Sequence, residues 1–279
     1  MAGNSPFSVA HKCDTGCLRS FNEDAVSVRP ELGLMVVADG MGGHNAGDVA
    51  ARMAVEIVER HVETALSNPD TGPVTIAPTL RRALEEADGR IRAACERIPG
   101  REHMGCTVAA ALLYDNRAYI THVGDTRAYL LRDGELRLLT RDHSPSQRAL
   151  EAGLSDEAAM ASSHNRHLVS QAVGAGLEPS CITADIIDLQ PHDLLLLCSD
   201  GLNDMIDGVD IELVLNATLD NVPMAADQLV MIARDCGGHD NISVALARVD
   251  APFPASGRPV HIPSRSSLLN RLRGWFGRA

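Results

Sequence analysis

The chain has 279 residues, a net charge of −12 and seven cysteines. An acidic surface repels phosphate backbones, so nucleic-acid binding by bulk electrostatics is excluded as a function class. An odd, scattered cysteine set in a chain of this length excludes a disulfide-stapled scaffold and points to reduced thiols in a cytoplasmic protein.

Aromatic residues make up 3% of the chain, so Leu, Val, Ile and Ala must build its core. No charged block or low-complexity linker interrupts residues 1–250, which predicts one domain there and a separate tail over 251–279. Met1 to Pro6 is polar with no apolar run behind it, so no signal peptide is expected. No segment reaches the length of a membrane span.

In chain order, Phe7 to Lys12 reads as a short strand and Leu34 to Ala38 as a buried one. Ala46 to Leu66 carries Val49, Met53, Ile57, His61 and Ala65 near helical spacing. Residues 68–78 read as a Pro/Gly-rich break, and Thr79 to Ile98 as a second helix with Leu80, Leu84, Ala87 and Ile91 on one face. Gly105 to Tyr114 and Arg117 to Val123 flank Asp115-Asn116, and Arg127 to Leu131 and Glu135 to Leu139 flank Asp133-Gly134; both pairs predict β-hairpins. Residues 143–175 are polar and rich in His and Ser, and read as a flap insertion. Strands return at Ile182 to Leu189 and Asp193 to Cys198, then a helix over Val222 to Cys236 and a last strand over Asn241 to Val249. This order is not a βαβ alternation. It predicts an α+β sandwich of packed antiparallel sheets with helices outside.

Four of the apolar runs carry an aspartate at one end: Asp39, Asp125, Asp200 and Asp240. A single Asp-Gly is an ordinary turn. Several carboxylates held at strand ends can converge on a hard divalent cation, and a glycine beside them lets a backbone carbonyl join in. Arg19-Ser20-Phe21-Asn22-Glu23-Asp24 adds a guanidinium before two acids. It reads either as a solvated loop with a local ion pair or as a phosphate clamp beside metal-binding carboxylates.

With these pieces the chain resembles the metal-dependent serine/threonine protein phosphatases of type 2C, particularly bacterial members. The matching motifs are Asp14-Thr15-Gly16 with Arg19-x-x-Asn22-Glu23-Asp24, then Asp39-Gly40-Met41-Gly42-Gly43-His44. Met104-Gly105-Cys106-Thr107, Val123-Gly124-Asp125-Thr126-Arg127, Asp142-His143-Ser144, Ser199-Asp200-Gly201 and Asp240-Asn241-Ile242-Ser243 follow in the family's order, covering about residues 8–249. The resemblance implies a four-layer α-β-β-α sandwich of two antiparallel sheets flanked by helices. It implies hydrolysis of phosphoserine or phosphothreonine on proteins by direct attack of a metal-activated water, opposing a serine/threonine kinase.

Carried over by position, Asp39 would bridge two Mn²⁺ or Mg²⁺ ions, the Gly40 carbonyl would complete one site, and Asp200 and Asp240 would ligate the other ion. Glu23 and Asp24 would hold metal-bound water. Asp125, with Asp200, matches a third, weaker metal site, and Arg19 matches the phosphate-binding arginine. Many eukaryotic members carry a histidine where this chain has Met41, so the nearby His44 becomes the candidate general acid. Asn165-Arg166-His167-Leu168 stands where the family often has Arg-Asn, a departure that bears on substrate preference. Hard oxygen donors suit Mg²⁺ or Mn²⁺ better than Zn²⁺, and two cations about 4 Å apart can lower the pKa of a water and clamp a phosphoryl group.

Two other readings compete. Cys13-x-x-Gly16-x-x-Arg19-Ser20 fits the pattern of a cysteine-dependent phosphatase, in which a thiolate attacks phosphorus, but Lys12 replaces the usual histidine and no helix is predicted to follow. A non-catalytic phosphoprotein-binding module of the same fold is the second, and crowded carboxylates without a cation argue against it. In the tail, residues 251–264 read as a Pro-rich linker. Ser266 to Arg278 reads as a short basic amphipathic helix with Leu268, Leu269, Leu272, Trp275 and Phe276 on one face, a candidate for peripheral membrane or partner contact. A monomer is expected.

Overall fold

A computed structural model of the chain describes residues 5–42, 46–97, 104–153, 168–175 and 177–255. The strands are β1 (Phe7–Asp14), β2 (Ala25–Arg29), β3 (Leu34–Met41), β4 (Gly105–Tyr114), β5 (Arg117–Val123), β6 (Arg127–Arg132), β7 (Glu135–Leu138), β8 (Ala184–Asp188), β9 (Leu194–Cys198) and β10 (Ile242–Val249). The helices are α1 (Ala46–Leu66), α2 (Pro73–Arg97), α3 (Pro145–Glu151), α4 (Asp200–Asn203), α5 (Gly208–Ala217) and α6 (Val222–Asp235). The strands form two five-stranded sheets, ordered β1-β10-β9-β6-β7 and β2-β3-β4-β5-β8. All neighbours within them are antiparallel.

Why these strands are buried on both faces follows from side-chain alternation. In β3, Leu34, Val36 and Ala38 pack toward α1 and α2, while Met35 and Val37 pack toward the other sheet. In β9, Leu194, Leu196 and Cys198 face α5 and α6, while Leu195 and Leu197 enter the layer between the sheets. That middle layer is assembled from Ala109, Ala111, Ala118, Ala128, Ala245 and Ala247 among Leu, Val and Ile. Small residues there let the two sheets approach closely despite the scarcity of aromatic rings. Three apolar layers between four layers of secondary structure match the expected α-β-β-α sandwich.

The hairpin signals hold locally. Asp115 and Asn116 both take positive φ (52° and 58°), as do Asp133 (53°) and Gly134 (87°), as a two-residue turn with the strands' own twist requires. The predicted break over 68–78 holds only as far as Gly72. α2 begins at Pro73, and Pro78 lies inside it near its start, where a missing N–H costs a single hydrogen bond. The body also runs past residue 250. The Phe253 ring sits edge-on to Phe7 with centroids 4.7 Å apart, and the Ala255 N–H donates to Asp115 Oδ1 at 3.0 Å. Residues 154–167 of the predicted flap, His44, and the tail over 256–279 lie outside the described residues.

Candidate active site

Arg19, Glu23, Asp39, Gly40, Asp125, Asp200 and Asp240 all line one cleft of about 730 Å³. Asp39 and Gly40 belong to β3, which runs three residues beyond its predicted end at Ala38. They pair with Thr107 and Cys106 of β4. Asp200 opens α4 immediately after β9, and Asp240 precedes β10, so adjacent strands of one sheet present both carboxylates at the same end.

Gly40 is required by a close approach. A Cβ there would lie 2.2 Å from the Gly47 carbonyl oxygen and 2.5 Å from that of Glu23. Gly47 meets Gly40 from the opposite side, so two glycines bring the first turn of α1 against the end of β3. The Gly47 N–H then donates to Glu23 Oε1 at 3.1 Å, which fixes that carboxylate at a helix N-terminus.

Asn241 holds the loop that carries Arg19. Its Nδ2 donates to the carbonyls of Thr15 (2.9 Å) and Phe21 (3.0 Å), and its Oδ1 accepts the Glu23 N–H at 2.8 Å. Arg19 itself is half-exposed, and its guanidinium donates to Asp240 Oδ2 at 2.6 Å. Asp24 stands behind the cleft instead of lining it. Ser199 Oγ donates to Asp24 Oδ2 at 2.9 Å, and Ser243 and Cys13 continue the network, with Cys13 Sγ and Ser243 Oγ 2.9 Å apart. Because its hydroxyl is used on Asp24, Ser199 does not cap α4. Ser199, Asn241 and Ser243 stand inside the sequence motifs, but their roles come from contacts between distant segments. The Ser199 partner Asp24 is 175 residues away, and nothing local signals that pairing.

Asp125 is held through its neighbour. The His143 ring stacks on His122 with centroids 4.7 Å apart, and its Nδ1 accepts the Gly124 N–H at 3.2 Å. Burial, followed by the adjacent His122, pulls His143 down to about 4, so the ring is neutral and able to accept that bond. Arg127 grips Asp142 with two bonds, at 3.0 and 2.7 Å, which anchors the segment leading to His143.

The electrostatics of the cleft are those of crowded acids. Burial, and then the charges of Asp24, Asp200 and Asp125, push Asp39 well above the carboxylate range. Burial and Asp200 push Asp125 up to about 8. Burial pushes Asp24 up to about 7, against the lowering effect of Ser243 and Ser199. Each of these groups binds its proton more firmly folded than unfolded. In chelator, stability is therefore greatest near the ordinary carboxylate range and falls as pH rises through about 7 to 8. Thermal midpoints measured from about pH 5 to about pH 8 are expected to drop, and Mn²⁺ to flatten the trend; midpoints that climb over that window contradict this.

The arrangement is a two-sheet, helix-flanked sandwich with strand-end carboxylates and an arginine around one cleft. Residues 19–229 match the model of the family described as Protein phosphatase 2C. The chain belongs to the protein phosphatase 2C family. It is 35% identical over 246 residues to the serine/threonine phosphatase stp of Listeria monocytogenes, covering 86% of this chain and 94% of that one. It is similar to the crystal structure of the Mycobacterium tuberculosis serine/threonine phosphatase PstP/Ppp, with TM-score 0.79 and 32% identity over 88% of this chain and 99% of that one. A structure of the catalytic domain of PstP in complex with two manganese ions matches with TM-score 0.77 and 32% identity, again over 88% and 99%.

Proposed function

We propose that the cleft hydrolyses phosphoserine and phosphothreonine on proteins with Mn²⁺ or Mg²⁺. The observation that carries this reading is the meeting of Asp39, Asp125, Asp200 and Asp240 in one cleft, with Asp39 and Asp125 pushed up by burial and mutual repulsion. Such a set is costly without a cation and fits hard divalent metals by donor chemistry. Among the described residues no three His, Cys, Asp or Glu groups form a closed ligand set. Asp240 is turned to Arg19 instead, so the fit rests on donor type and repulsion. Asp39, the Gly40 carbonyl, Asp200 and Asp240 would hold two ions, Glu23 their water, and Asp125 with Asp200 a third. When bound, the ions activate water and neutralise phosphoryl oxygens.

The residues of the chain do the rest. Arg19, on a loop tied down by Asn241, binds and orients the phosphate with its planar guanidinium. Asp24 acts from behind the cleft, adding its charge to the field at Asp39. His44 is the proposed general acid. The enzyme would oppose a serine/threonine kinase as a monomer, with 1–250 as catalytic domain and residues up to Ala255 packed onto it. All seven cysteines are free, which supports a reducing, cytoplasmic setting, and no helix among the described residues is long and apolar enough to cross a membrane. The tail over 266–278 is proposed to touch a membrane surface or partner through its basic apolar face.

The thiol alternative fails on geometry and charge. Residues 14–24 lead from β1 to β2 through turns and open no helix that could cradle an anion. Burial pushes the Cys13 thiol up and Asp24 adds to the shift, so the thiolate is disfavoured. A phosphothreonine-peptide assay titrated with Mn²⁺ tests the reading. Activity should vanish in chelator, and Cys13→Ser should keep turnover within about threefold of wild type. Chelator-resistant activity that the serine variant abolishes would reverse the conclusion.

A further inference from the structure

Residues 168–175 form a limb that runs from the cleft to the start of β4. Its first residues, Leu168 and Val169, line the same cleft as Asp39 and Asp200, so the limb supplies an apolar stretch of the cleft wall. Leu168 is half-exposed, free to meet a bound chain. Farther along, Val173 is fully buried and exchanges two backbone hydrogen bonds with Cys106 of β4, both 2.9 Å long. Cys106 pairs with Gly40 on β3, so β4 lies between the limb and the strand that carries Asp39.

One side chain pins this limb from the helix layer. Asp88 of α2 is 5% exposed, and its Oδ1 accepts the N–H of Gly174 at 2.9 Å and that of Leu177 at 3.2 Å. Its Oδ2 faces Arg92 Nε at 3.0 Å. A buried carboxylate is kept on a helix only where such partners repay its desolvation. Gly174 makes the contact close. It takes φ +98°, and a Cβ on it would lie 2.4 Å from Ile91 Cγ2.

We propose that Asp88 is a positioning residue for substrate recognition, setting the height of the Leu168–Val169 wall against which the residues flanking the phosphorylated side chain of a protein substrate pack. This rests on the phosphatase reading of the cleft. A small aryl phosphate fills only the phosphate floor and ignores the wall, whereas a peptide needs both.

The test compares wild type, Asp88→Ala and Asp88→Asn on a phosphothreonine peptide and on p-nitrophenyl phosphate, with Mn²⁺ throughout. Asp88→Ala is expected to raise KM for the peptide about five- to tenfold with kcat little changed, and to leave both constants for the aryl phosphate within about twofold. Asp88→Asn keeps the oxygen that accepts both amides and should restore the peptide KM. Amide exchange at Gly174 and Leu177 should quicken in the alanine variant alone. Should Asp88→Ala fail to fold, Gly174→Ala lifts the limb from its own side with the carboxylate intact, and the same split between substrates is expected. Equal losses on both substrates, or an unchanged peptide KM, overturn the assignment. A wild-type enzyme inert toward both substrates would instead overturn the phosphatase reading.

Discussion

Asp39→Asn is expected to lower kcat/KM on a phosphopeptide by about a thousandfold at saturating Mn²⁺, equal to about 4 kcal/mol of lost transition-state stabilisation. The same change should raise the thermal midpoint in chelator. Asp39 is buried against Asp24, Asp200 and Asp125, and an amide of the same shape removes one of the repelling charges. Activity and metal-free stability thus move in opposite directions, which distinguishes a metal ligand from a residue that merely packs. The stabilisation by Mn²⁺ should shrink as well, because fewer charges remain to bind it. Wild-type turnover in this variant, or a lowered midpoint in chelator, would contradict the role assigned to Asp39.

Gly40→Ala is expected to destabilise the fold by about 3 kcal/mol or more and to abolish turnover. The new methyl would meet two backbone carbonyls, those of Gly47 and Glu23, and neither can rotate away as a side-chain tip could. Relief requires α1 to withdraw, and with it the Gly47 N–H that fixes Glu23. Circular-dichroism melts and the phosphopeptide assay read both effects. A variant that melts and turns over like wild type would show that the approach of α1 to β3 is looser than described.

Local signals located much of this fold. The α1 boundaries and those of β4 and β5 coincide with the sequence reading, because helical periodicity and a two-residue Asp-Asn turn are each local signals, written in neighbouring residues. β2 was missed. Its Val26 and Val28 alternate with Ser27 and Arg29, but five residues give a weak signal, and the pairing of Ser27 with Glu59 and of Arg29 with Glu63 is visible only in three dimensions. α4 is a single turn, too short to show a period, and α5 follows it with a weakly segregated apolar face. At the site, the strand-end aspartates were legible because each follows or precedes an apolar run. Their arrangement was not: the grip of Arg19 on Asp240, the retreat of Asp24 behind the cleft and the clamp made by Asn241 all join distant segments.

β1 pairs along its whole length with β10, joining Phe7 to Val249 and Asp14 to Ile242. A chain leaving the ribosome therefore holds its first strand without a mate until the last one has emerged, and Asn241 cannot seat the Arg19 loop before then. Closing so long a loop comes late and slowly. Truncated or nascent chains should possess neither the completed sheet nor the cleft, so a half-made molecule cannot strip phosphate from its neighbours while still being synthesised.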